Sequence, residues 1–233
     1  LDRSNLIARK GFLGTGGAQL TTAVTSWAGT NGFNLDREFT ADGAGSLLDL
    51  STLTGIERNG GSASSDLRIS ATDGGEVRLT GITGFDDNVS GINGRVHLSA
   101  DDAGSLIDIA NVTTLSNASI TVRDGGDITG QLTSLTGRSQ LVKRGTDDAD
   151  GDMIDMIDLS QLNDADDATL IAEDGATLAL GTTSIDRADL IVREGFLGTG
   201  GAQLTTAVTS WAGTNGFNLD REFTADGAGS LLD

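Results

Sequence analysis

The sequence predicts an all-β fold, a parallel β-helix (solenoid) with about seven coils per 184-residue repeat, and three observations predict it. Residues 1–49 recur as residues 185–233, with 44 identities in 49 positions at an offset of 184, and Gly11 to Asp49 returns unchanged as Gly195 to Asp233. Inside that unit a shorter scheme of strand, acidic glycine turn and strand repeats in degenerate form. The composition agrees: 34 Gly against 7 Phe, 2 Trp and no Tyr, Pro or Cys, with the 37% of hydrophobic residues in short Leu, Ile and Val runs. That content is too high for a disordered acidic chain and too poor in aromatics for a large globular core.

The passes of the short scheme start near Leu6, Leu35, Leu67, Val96, Ile120, Leu141 and Leu170, a mean of about 26 residues each. In Leu67-Arg68-Ile69-Ser70-Ala71-Thr72-Asp73-Gly74-Gly75 the apolar and polar residues alternate and then stop at an Asp-Gly turn. Val96 to Gly104, Ile120 to Gly126, Leu170 to Gly175 and Phe39 to Gly45 follow the same order. A strand of this kind has one face to bury and is too short to bury it alone, so successive passes must stack. Each pass is expected to end in a corner such as Leu53-Thr54-Gly55-Ile56 or Leu135-Thr136-Gly137. An array of β-sandwiches would need hairpin signals every 8 to 12 residues or so, and the Asn-Gly pairs at Asn31, Asn59, Asn93 and Asn215 are too far apart. Helical spacing is approached only by Leu20, Val24, Trp27 and Ala28, read as an irregular pass with a short helix as its alternative. Residues 1–184 are then one full unit of a continuous solenoid and 185–233 the start of the next, expected to continue in both directions as a rod made of copies of itself.

With 15 Lys and Arg against 34 Asp and Glu the formal charge is -19, and the cations are scattered singly, which excludes a phosphate-binding stripe and hence a nucleic-acid partner. Insertion in a membrane is not expected either, because no apolar run approaches the ~18 residues of a span. The absence of cysteine removes disulfides, thiolate metal sites and cysteine nucleophiles.

The Asp-Gly-Gly and Asp-Gly-Ala turns at Asp73, Asp124 and Asp174, each followed by a short apolar strand, resemble the parallel β-helix repeats of very large bacterial surface and secreted proteins, haemagglutinin-like adhesins and autotransporter passengers among them. The resemblance implies a rod that holds, spaces or sticks, placed outside the cell or on its surface. The Gly-Gly-x-Gly-x-Asp nonapeptide of calcium-binding toxin repeats is not present; Asp124-Gly125-Gly126-Asp127 is a partial echo of it.

Among polar features the acidic turns stand out: Asp42, Asp73, Asp101 with Asp102, Asp124 with Asp127, Asp174, and densest of all Asp147-Asp148-Ala149-Asp150-Gly151-Asp152. Stacked carboxylates about 4.8 Å apart repel and favour screening cations. Asp148, Asp150 and Asp152 alternate as hard oxygen donors for calcium would, whereas the plainer reading is turn geometry and solubility. His97 is the only histidine and falls on the outer face of its strand, with no partner set for catalysis, so no enzyme is expected. Gly14-Thr15-Gly16-Gly17 lacks the Lys of a phosphate loop and reads as a tight turn. Trp27 and Trp211 either plug a coil or stack on surface glycans, and Asn88, Asn111 and Asn117 open glycosylation sequons. The leading expectation is a structural module of an extracellular fibre, sheath or giant surface protein. An adhesin that binds glycans or calcium through its acidic turns is the alternative, and a polysaccharide-active enzyme comes third.

Overall fold

A computed structural model describes residues 1, 4–11, 16–28, 36–57, 66–85, 95–145, 157–194, 201–212 and 222–233. Every element among them is a strand, and no helix is long and apolar enough to cross a membrane. The longest sheet has nine strands in chain order: β1 (Leu6–Arg9), β4 (Arg37–Asp42), β7 (Leu67–Thr72), β9 (Val96–Asp101), β12 (Ala118–Arg123), β15 (Gln140–Arg144), β17 (Thr169–Glu173), β19 (Asp189–Arg193) and β21 (Phe223–Asp226). All of its pairings are parallel.

Between visits to the long sheet the chain contributes to others. A second sheet holds β2 (Gln19–Thr21), β5 (Leu47–Asp49), β8 (Glu76–Arg78), β10 (Leu106–Asp108) and β13 (Asp127–Thr129), and a third holds β11 (Thr114–Ser116), β14 (Ser134–Thr136), β16 (Asp164–Asp166), β18 (Thr177–Asp186), β20 (Gln203–Ala212) and β22 (Leu231–Leu232). A two-stranded sheet pairs β3 (Ser26–Ala28) with β6 (Gly55–Glu57). Single parallel bridges, Ile128 to Ile157 and Leu159 to Leu180, link residues outside the second sheet to it and to the third.

Alternation decides what is buried. On the long sheet Phe39, Ile69, Leu98, Ile120, Leu141, Leu170 and Leu190 form one inward row, and Ala41, Ala71, Ala100, Val122, Ala172 and Val192 a second, all buried. Leu48, Val77, Ile107 and Ile128 face them from the second sheet, and Ile56, Leu115, Leu135, Ala165 and Ile185 close the core from the other strands. Trp27 lies in this core at 2% exposure, its ring edge-on to Phe39 at 5.4 Å, and its indole N–H donates to the Ser4 carbonyl at 3.2 Å.

The acidic turns take the left-handed backbone that their composition suits. Asp73 and Gly74 have φ of 51° and 79°, Asp124 and Gly125 53° and 82°, Asp174 and Gly175 56° and 84°. One reading changes and one alternative falls away. The corners at Leu53 to Ile56 and Leu135 to Gly137 contain strands, β6 and β14, because Ile56 and Leu135 each supply a buried side chain that a solvated corner would expose. The stretch around Leu20, Val24, Trp27 and Ala28 is β2 and β3 with no helix, since pairing to β5 and β6 satisfies its backbone.

The two copies pair alike. Leu6, Ile7, Ala8 and Arg9 stand opposite Phe39, Thr40, Ala41 and Asp42; Leu190, Ile191, Val192 and Arg193 stand opposite Phe223, Thr224, Ala225 and Asp226. Gln19 and Leu20 face Leu47 and Leu48 just as Gln203 and Leu204 face Leu231 and Leu232. The second copy's first strand, β19, pairs over five residues with β17 of the first unit, Thr169 with Asp189 through Glu173 with Arg193.

Candidate functional site

Three groups of polar residues could do chemistry or binding: the charged row along the long sheet, the stack of acidic turns and the interior around Lys143. The last residue of each long-sheet strand faces outward, and in order these are Arg9, Asp42, Thr72, Asp101, Arg123, Arg144, Glu173, Arg193 and Asp226. The parallel register brings unlike neighbours together. Arg9 Nε lies 3.0 Å from Asp42, Thr72 donates to Asp42 at 2.9 Å, and Arg123 bonds Asp101. Glu173 is held by Arg144 at 2.6 Å and by Arg193 at 2.8 Å, and its side chain is 3% exposed. Burial pushes the Glu173 pKa up, but the hydrogen bonds and charges of Arg193 and Arg144 outweigh it and hold the carboxyl below its ordinary value.

One residue beyond this row lie turn carboxylates, Asp102 and Asp124 among them, and their oxygens and one of Asp101 in the row all fall within 4.8 Å of one another. Burial and then the charges of Asp101, Asp73 and Asp124 push the Asp102 pKa up, as a crowd of like charges must. These three offer oxygen donors to a hard cation. Asp148, Asp150 and Asp152 lie outside the described residues, as do Gly14, Asn88, the Asn-Gly pairs at Asn31, Asn59, Asn93 and Asn215, and the Trp211 side chain. At neutral pH an Asp102→Asn variant is expected to melt higher than the parent in chelator, since it removes one repelling charge. A cluster that holds calcium would let millimolar calcium raise the melting temperature of the parent and not of the variant, and a cluster that serves only turn geometry would leave both unmoved, a comparison that one thermal-shift series decides.

Lys143 was not singled out by its sequence context. It occupies the inward row between Val122 and Ala172 and is 2% exposed. It borders a cavity of about 400 Å³ whose walls include Ile128, Gln131, Ile157, Asp158 and Thr177, where the second sheet ends. Strict alternation from Leu141 would have marked it as inward, which the positive charge argued against. His97 is on the outer face as expected, half-buried, with Nε2 3.0 Å from Asp66. Burial lowers its pKa against the upward pull of Asp66.

Trp27, being core, offers no ring to a glycan in the first copy. No protein-family model, no curated protein and no solved structure matches the chain.

Proposed function

We propose that the chain is a structural repeat module of an extracellular fibre, sheath or giant surface protein, a parallel β-helix of about seven coils per 184 residues whose work is length, stiffness and display. The observation that carries this reading is the junction between the copies. The second begins on the sheet edge of the first with no linker, β19 on β17, and repeats the registers found 184 residues earlier. The strand carrying Leu190 stands seven places from the one carrying Leu6 in the long sheet, in keeping with seven coils. Units joined this way add length and little freedom, the mechanical requirement of a rod.

The absence of nucleic-acid partners is supported by where the cations go. Arg9, Arg68, Arg78, Arg123, Arg144, Arg187 and Arg193 each contact a carboxylate of the chain itself. The extracellular or cell-surface placement rests on the resemblance of the turns and strands.

Small-angle scattering tests the rod. Proteins lengthened by whole 184-residue units should gain about 34 Å in maximum dimension per unit, seven times the strand spacing of about 4.8 Å. Increments that vary with bending between beads would overturn the continuous solenoid. The second reading, an adhesin whose acidic turns hold calcium, is favoured by the Asp101, Asp102 and Asp124 cluster and answers to the calcium experiment above.

A further inference from the structure

All five differences between the copies fall within the first ten residues: Leu1, Ser4, Asn5, Ala8 and Lys10 stand where the second copy has Ile185, Ala188, Asp189, Val192 and Glu194. The 39 positions that follow are identical. The ten residues 185–194 include β19, the strand seated on β17, so the variation falls on one part of the surface that meets the preceding unit; the other part, β20 on β18, does not vary.

The charges of that surface differ in one direction. Residues 4–10 carry two cations, Arg9 and Lys10, and no carboxylate; residues 188–194 carry one, Arg193, against the two carboxylates of Asp189 and Glu194. The pass that leads into β19, residues 157–186, holds seven carboxylates, Asp186 included, and no Lys or Arg. Two of the seven, Glu173 and Asp174, stand where the pairing of β17 with β19 ends, and Glu194 is the next residue after Arg193. The second copy therefore sets Glu194 beside an acidic edge. Lys10 at that place would oppose it with a cation.

We infer that the opening segment Ser4 to Lys10 is a docking surface for the acidic closing pass, residues 157–186, of another copy of this unit, in the register seen between β17 and β19. In that register Leu6 meets Leu170, Ile7 meets Ile171, Ala8 meets Ala172 and Arg9 takes the place of Arg193 on Glu173. The backbone accepts the exchange. Asn5 accepts the Glu38 amide at 3.0 Å as Asp189 accepts that of Glu222 at 2.9 Å, and the amides of Lys10 and Glu194 both donate at 2.9 Å to the Asp at the end of the next strand. Ala8, smaller than Val192, enters the inward row without crowding. Complementary charge at such a junction sets which unit follows which, as well as adding affinity. The inference rests on the rod reading, and its test leaves the scattering increments untouched, so the two can fail separately.

The test places the first copy's charges on the acidic edge within the intact 233-residue chain, as Asp189→Asn with Glu194→Lys. Amide hydrogen exchange is measured for Leu190 to Arg193 at low salt and in 1 M salt. Protection should rise roughly threefold or more at low salt and return to the parent value at high salt, the behaviour of exposed charge pairs. Protection that is unchanged, lowered or raised equally at both salts overturns the inference. So does a variant that no longer folds, because Asn5 and Lys10 stand at the equivalent positions of the first copy.

Discussion

Gly75→Ala is expected to destabilise the fold by about 3 kcal/mol, the upper end for forcing a group into a packed interior. A Cβ at Gly75 would lie 2.3 Å from the Ala41 carbonyl oxygen, 2.6 Å from its carbon and 3.0 Å from the Asp42 nitrogen. Those are backbone atoms of β4 in the preceding pass, held by parallel pairing to β7, so they cannot rotate away as a side chain would. The residue is not in the left-handed region, so close approach alone demands glycine here. The stack shows how the space is shared. Leu47 and Leu106 both pair with Glu76, and Leu106 pairs with Asp127, which aligns the preceding residues Ser46, Gly75, Ser105 and Gly126. Serine and glycine alternate, and each serine hydroxyl donates to its own turn, Ser46 to the Asp42 carbonyl at 2.7 Å and Ser105 to that of Asp101 at 2.6 Å. Gly126 is under the same constraint, with Ala100 and Asp101 backbone atoms 2.6 to 2.8 Å from a built Cβ. Urea titration checks the prediction against Gly55→Ala, where nothing lies within 4 Å of the added carbon and the change should stay within about 0.5 kcal/mol. Equal midpoints for the two variants would mean that neighbouring passes are not in the contact described.

The part of this architecture that could be read from the residues is the part that repeats. Leu67, Val96, Ile120, Leu141 and Leu170 open or stand in strands of one sheet, as the pass boundaries predict, and Asp73, Asp102, Asp124 and Asp174 take positive φ in the turns between. The third sheet was hidden because a strand such as Ser134-Leu135-Thr136 offers one apolar residue, too few for a period to register, and its Thr-Gly ending imitates a corner. Its return to the long sheet also runs through residues that composition would not choose. Arg138 and Arg187 have φ of 65° and 54°, where Gly or Asn would be expected. For Arg187 a guanidinium held by both oxygens of Asp166, at 2.8 and 2.9 Å, anchors that turn. Lys143 is buried against the preference of its charge, which alternation from Leu141 alone would place inward, and the members of the charged row are twenty or more residues apart and meet only through register.

Glu173→Gln is expected to cost about 2 kcal/mol at neutral pH, between the values for an exposed and a fully buried ion pair, because its partners Arg144 and Arg193 are 33% and 47% exposed. Glutamine keeps the shape and one acceptor, so the loss reports the charge, and it leaves two guanidiniums flanking a neutral group. The pH dependence follows from the direction of the shift. The folded-state pKa of Glu173 lies below its ordinary value of 4.5, so the carboxylate contributes its stability above that value. The contribution shrinks as pH falls below it and is gone once pH has passed the depressed folded-state pKa. The parent should therefore lose its margin over the variant on acidification, and the two curves should converge at the acid end. Because Arg144 and Glu173 belong to the first unit and Arg193 to the second, the loss should appear first in exchange of the β19 amides that carry the junction. An unchanged melting temperature at pH 7, or a difference between parent and variant that persists through the acid limb, would show that Glu173 does not join the two copies electrostatically.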